Sequence, residues 1–72
     1  MNMKKYIIWF DFPFGKTYYR NSYIDTSYTA GNLEIPEFSA DKTLAKEFKS
    51  KEDALRVGRF FAGKYSYGVD EI

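Results

Sequence analysis

Ten carboxylates are the most versatile chemical groups in this 72-residue chain, which contains neither histidine nor cysteine. Without histidine the commonest general base at neutral pH is absent, and without cysteine so is a thiolate nucleophile. A zinc site built from Cys and His is excluded for the same reason. Any catalysis would therefore rest on carboxylates, Lys, Tyr, Ser and Thr. A carboxylate pair acting as acid and base needs both groups on one face in an apolar setting. The spacing of Asp11, Asp25, Asp41, Asp53, Asp70, Glu34, Glu37, Glu47, Glu52 and Glu71 offers no such pair. Asp11 alone falls within an aromatic segment, where burial would raise its pKa, but its place beside a turn favours solvent. Gly15 stands alone, and Gly63 and Gly68 lack the GxxxxGK[ST] frame of a phosphate loop. Asp70-Glu71 is too brief for a calcium loop. The expectation is a chain without catalytic residues, metal ligands or cofactor, hence not an enzyme.

What the chain has in excess is aromatic surface. Seven Tyr, seven Phe and one Trp make up 21% of the residues. Each buries about 150–250 Å² when packed, and a single core of this size cannot enclose all fifteen. Some must lie at the surface, either scattered and half-buried or gathered into a patch for recognition. Interfaces are enriched in Tyr, Trp, Phe and Arg, and Trp9 to Tyr23 carries that composition. Trp9, Phe14, Lys16, Tyr18, Tyr19, Arg20 and Tyr23, with Arg56 and Arg59 further on, are the candidate partner-binding residues. Phe14 sits at the apex of a turn, where it either faces solvent or folds back over the sheet edge.

These residues must be positioned by a small number of elements. Residues 1–72 read as a single domain, with no repeat, low-complexity stretch or linker. Lys5 to Phe12 alternates as a strand, with Tyr6, Ile8, Phe10 and Phe12 on one face and Ile7, Trp9 and Asp11 on the other. Both faces are largely apolar, which predicts a central strand or one covered on both sides. Pro13-Phe14-Gly15-Lys16 supplies turn chemistry, and Thr17 to Ile24 returns as the second strand of a hairpin. Thr26, Ser27, Thr29, Ala30, Gly31 and Asn32 read as loop. Leu33-Glu34-Ile35 has the alternation of a short edge strand, which Pro36 is expected to interrupt. Ser39 to Lys46 reads as a helical turn capped by Ser39, with Leu44 and Ala45 facing inward.

A helix is predicted over Lys51 to Ala62. Ser50 is its cap, Glu52 and Asp53 lie near the positive end of the dipole, and Gly63 stands where the chain must leave the helix. Ala54, Leu55, Val57, Gly58, Phe61 and Ala62 fall on one apolar arc, with Arg56 and Arg59 opposite. Phe60 lies just beyond the arc and is expected to flank the core. Glycine costs about 1 kcal/mol relative to alanine inside a helix, so Gly58 implies close approach to a bulky sheet residue, Trp9 or a Tyr. Tyr65 to Ile72 alternates as a final strand. The whole reads as an α+β fold: a small antiparallel sheet of three to four strands with one helix on a face.

Formal charge is +1, with no run of like charge long enough for a nucleic-acid-binding tail. The apolar run Tyr6 to Phe10 is too short for a signal peptide or membrane span, so the expected location is cytoplasmic, with no membrane partner. Small sheets with exposed aromatics do bind single-stranded nucleic acid by stacking, and Trp9, Lys16, Tyr18, Tyr19, Arg20 and Tyr23 could form such a platform. The basic-glycine-aromatic run of an RNA recognition motif is missing, as is the GXXG clamp. A homodimer that spends its aromatics on self-association is a further possibility.

One segment carries a resemblance. Ala45-Lys46-Glu47-Phe48-Lys49-Ser50-Lys51-Glu52-Asp53-Ala54 resembles the pattern Ala-x-x-Phe-x-Ser-x-x-x-Ala, which precedes an amphipathic helix in many small bacteriophage and prophage proteins. The match covers ten residues, and the order of hairpin, helix and strand agrees with it. Many such proteins, among them the anti-CRISPR proteins, bind host enzymes or defence complexes. The resemblance implies a non-catalytic inhibitor of a host or defence protein, working in the bacterial cytoplasm, and brings no catalytic residues with it.

Overall fold

The computed structural model describes residues 4–25 and 33–72. The loop expected over residues 26–32 and the first three residues of the basic start lie outside the described residues. Four strands and two helical segments follow in chain order: β1 (Tyr6–Phe12), β2 (Gly15–Asp25), β3 (Leu33–Ser39), a 3-10 turn (Lys42–Leu44), α1 (Lys51–Ala62) and β4 (Ser66–Glu71). They form one antiparallel sheet in the order β3-β2-β1-β4, with α1 packed on β1 and β4. The α+β expectation holds, and β1 is central as its two apolar faces require.

Ile7 and Ile8 are adjacent in β1 and point to opposite faces, yet each is 1% exposed or less. On the helix side Ile8, Phe10 and Tyr19 pack with Ala54 and Ala62, ringed by Phe38, Phe48, Phe61 and Tyr67. Burying an aliphatic or aromatic side chain of this size contributes about 1.5–3 kcal/mol, so β1 anchors the fold. The rings pack on edges and faces: Phe10 stacks on Phe12 at 5.4 Å, and Phe38 meets both edge-on at 5.1 Å.

The sheet is split between β1 and β2. Their pairing covers only Trp9 to Phe12 against Gly15 to Tyr18. Beyond it the β2–β3 register shifts between Tyr19 and Asn21, leaving Arg20 as the extra residue of a bulge, a feature that bends a strand. Residues 46–48 fill the resulting wedge. Lys46 N–H donates to the Tyr19 carbonyl at 2.9 Å, and Tyr6 and Phe48 exchange two backbone hydrogen bonds of 2.8 and 2.7 Å. The rest of β2 pairs only with β3. Tyr23 and Ile24 on this arm are about half exposed.

Pro36 does not interrupt β3, which runs through it opposite Ser22. Its missing N–H is tolerated because β3 is an edge strand. The expected helical turn is only the 3-10 segment, and Asp41 caps it rather than Ser39. Asp41 accepts from the Thr43 amide at 2.9 Å and the Thr43 hydroxyl at 2.6 Å, while Ser39 Oγ accepts from Asp41 N–H. The hydroxyl and then the amide of Thr43 hold the Asp41 carboxyl below its ordinary pKa. Leu44 faces solvent instead of the interior, and Ala45 is half-buried.

α1 spans the predicted residues. Ser50 Oγ accepts from Asp53 N–H at 3.3 Å, and Gly63 leaves the helix at a φ of +59°, which favours glycine. Ala54, Gly58 and Ala62 form the buried stripe. Two positions differ from the arc. Leu55 is 38% exposed and Phe60 64% exposed, because the helix meets the sheet along a narrow line of small residues. Phe60 does not flank the core; its ring rests on Phe61 at 4.8 Å. No helix among the described residues is long and apolar enough to cross a membrane.

Candidate functional site

The β1–β2 register sets Trp9 opposite Tyr18 and Asp11 opposite Lys16, all pointing away from α1. On the other side of β1, Trp9 is opposite Gly68 of β4. The missing side chain at Gly68 is what seats the indole: a Cβ there would collide with Cζ2, Cε2 and Nε1 of Trp9. Trp9 therefore lies flat across β4 and stays half-buried. Lys16 reaches back along the hairpin, with Nζ 4.9 Å from the centroid of the Trp9 ring and 5.9 Å from that of Tyr18. Such contacts contribute about 0.5–1 kcal/mol at exposed sites and hold the cation over the rings. The result is a platform of indole, phenol and ammonium on the face opposite the helix. Lys16 is exposed there, Trp9 and Tyr18 are half-buried, and Ile7, two residues before Trp9 on the same face, is buried.

The other candidates take different positions. Arg20 is exposed at the β2 bulge, beside the platform along the same strand. Tyr23 is half exposed on the β2–β3 arm. Phe14, at 77% exposure, is the most exposed large apolar side chain among the described residues, but it also leans on Phe12 at 5.4 Å. Because Phe12 belongs to the helix side, Phe14 turns away from Trp9. Tyr19 does not join a surface: it is 4% exposed, stacked on Phe61 at 5.6 Å and against Phe48 at 6.0 Å. One residue along β2 from Tyr18, it points to the opposite face. Its removal from the candidate surface follows from strand alternation alone.

Arg56 and Arg59 stand on α1, across the sheet from the platform. With Glu52, Leu55 and Tyr67 they line a shallow depression of about 450 Å³ beside the outer edge of β4. Arg56 pairs with Asp53 at 3.4 Å, an exposed contact of little energetic weight. Leu55 was hidden from sequence reasoning because the helical arc assigns it to the core, and Tyr67 because the alternation of the last strand does not say which face is inward. Gly68 was readable: a glycine inside a strand signals a close approach, here of an aromatic ring.

Asp11 is exposed at the strand end beside Lys16 rather than enclosed. No cluster of three or more acidic groups capable of holding a metal ion occurs among the described residues. The arrangement thus holds a positive charge over two aromatic rings on the sheet face opposite α1. Comparison of the chain with protein-family models, with characterised proteins and with solved structures finds no match.

Proposed function

We propose that this chain is a non-catalytic binding protein, a phage-encoded inhibitor or modulator that acts by contact with a host or defence-system protein. The observation that carries this reading is the platform itself, Lys16 held over Trp9 and Tyr18 on the sheet face opposite α1. Trp9 and Tyr18 are of the residue types that dominate interface hot spots. Arg20 extends the surface, Tyr23 adds a second contact on the arm, and Phe14 reaches past the hairpin tip. The phage assignment rests on the resemblance of residues 45–54, and with it the setting in the bacterial cytoplasm. Purified K16E/Y18S protein tests the surface. It should keep the wild-type circular dichroism spectrum and lose the partner. A folded variant that binds as well as wild type overturns the assignment.

A second reading has its own support. An aromatic pair with an overlying cation also suits stacked bases and a phosphate. Trp9 is the only tryptophan, so its fluorescence reports directly on ligands at the platform. Quenching by a single-stranded oligonucleotide that weakens steeply with added salt would favour nucleic acid. The protein-contact reading expects no such quenching.

A further inference from the structure

We propose that the outer edge of β4 docks a second copy of this chain, forming a two-fold dimer with a continuous sheet. Ile72 N–H donates to the Lys5 carbonyl, which fixes the hydrogen-bonding phase of the β1–β4 ladder. Asp70, Gly68 and Ser66, opposite Ile7, Trp9 and Asp11, share that inward phase. Tyr67, Val69 and Glu71 consequently turn their N–H and C=O groups away from β1, toward the free edge. β4 is the terminal strand of the sheet, and no other described strand pairs with it.

Exposed edges are normally blunted by proline, lysine or a bulge. The opposite edge, β3, has Pro36 within it and faces the bulged strand β2. β4 runs Ser-Tyr-Gly-Val-Asp-Glu in unbroken register with β1; its charges, Asp70 and Glu71, lie at one end, and Ser66 to Val69 have no proline, charge or bulge. A symmetric antiparallel partner that uses the outward groups can set Gly68 against its own copy, with Tyr67 opposite the partner's Val69 and the reverse.

The helix flank above this edge supports the same axis. α1 returns through residues 63–65 into β4 and so runs opposite to it. Gly58 stands over Tyr67 and Ile8, which places the helix above the β1–β4 pair. One residue along β4 advances about 3.3 Å, equal to about two residues of helix. The level of Gly68 therefore falls between Leu55 and Arg56. That level is also the midpoint of Glu52 and Arg59, which line the same depression. A two-fold axis through Gly68 brings Glu52 of each copy to Arg59 of the other, with the exposed Leu55 side chains meeting between them. Strands about 4.8 Å apart then hold the two helices about 10 Å apart, the ordinary distance for packed helices. The Trp9 indole crosses Gly68 on the opposite face of the same strand, so dimerisation would bring the two platforms side by side across the seam on one extended face.

Sedimentation equilibrium of the full chain over a concentration series, paired with amide hydrogen exchange, tests the dimer. The expected mass rises to twice the 8.5 kDa of one chain. Exchange at the Tyr67, Val69 and Glu71 amides should slow as it does so. E52R alone or R59E alone should weaken the dimer about fivefold or more, and the E52R/R59E double swap should restore it. A mass that stays at one chain overturns the proposal. So does a dimer whose β4 amides stay unprotected, or one indifferent to the single swaps.

Discussion

Gly58 of α1 and Tyr67 of β4 touch so closely that a Cβ on Gly58 would stand 2.8 Å from Cδ2 of the tyrosine ring and 3.1 Å from Ile8 Cγ2. Alanine there would gain about 1 kcal/mol of helix propensity but force about 1–3 kcal/mol of overpacking. G58A is therefore expected to lower stability by about 1 kcal/mol in urea unfolding. The cost should shrink when Tyr67 is also replaced by leucine, and a strictly additive double-mutant cycle would contradict the contact.

Gly68 holds Trp9 by the same logic on the other face. G68A must displace the indole, because the new Cβ would overlap three of its atoms. A red shift of the tryptophan emission is expected, together with a stability loss of about 1–3 kcal/mol. Unchanged emission would mean that the ring does not rest on Gly68.

Thr17 is 7% exposed, and its Oγ1 has no hydrogen-bond partner among the described residues. Valine keeps the shape and removes the buried hydroxyl. T17V is expected to raise stability by about 1 kcal/mol, measured as a higher urea midpoint at unchanged slope.

The elements easiest to read were those in which one signal dominated. Ser50, the acidic first turn and Gly63 bound α1 correctly, and the double alternation of β1 placed it at the centre. Pro36 misled because its effect depends on strand position: it breaks a central strand and is tolerated at an edge, and sheet order is not local information. Leu55 and Phe60 misled for a related reason. A helical arc marks the apolar side but not its usable width, which Ala54, Gly58 and Ala62 set by how closely α1 meets the sheet. Tyr19 and Tyr18 are chemically alike, and only the face of the strand separates core from platform. The wedge at residues 46–48 had no sequence signature, since it is made by backbone hydrogen bonds.

Asp41 gives a pH-dependent prediction. Its carboxyl titrates lower in the folded chain than in the unfolded one because Thr43 donates two hydrogen bonds to the charged form. A depressed folded pKa contributes stability that is fully present above the unfolded value and lost as pH falls through the folded one. Wild type should therefore exceed D41N in stability at neutral pH, with the gap closing below pH about 4. A gap independent of pH would remove the carboxylate as its cause.

The central claim is contact through the Trp9–Lys16–Tyr18 platform, and paired affinity capture tests it most directly. Wild-type and K16E/Y18S proteins would each be presented to nuclease-treated bacterial lysate and the retained proteins identified by mass spectrometry. The expected result is a protein held by wild type after nuclease treatment and absent from the folded variant. Equal retention by both, or loss of the catch on nuclease treatment, would contradict it.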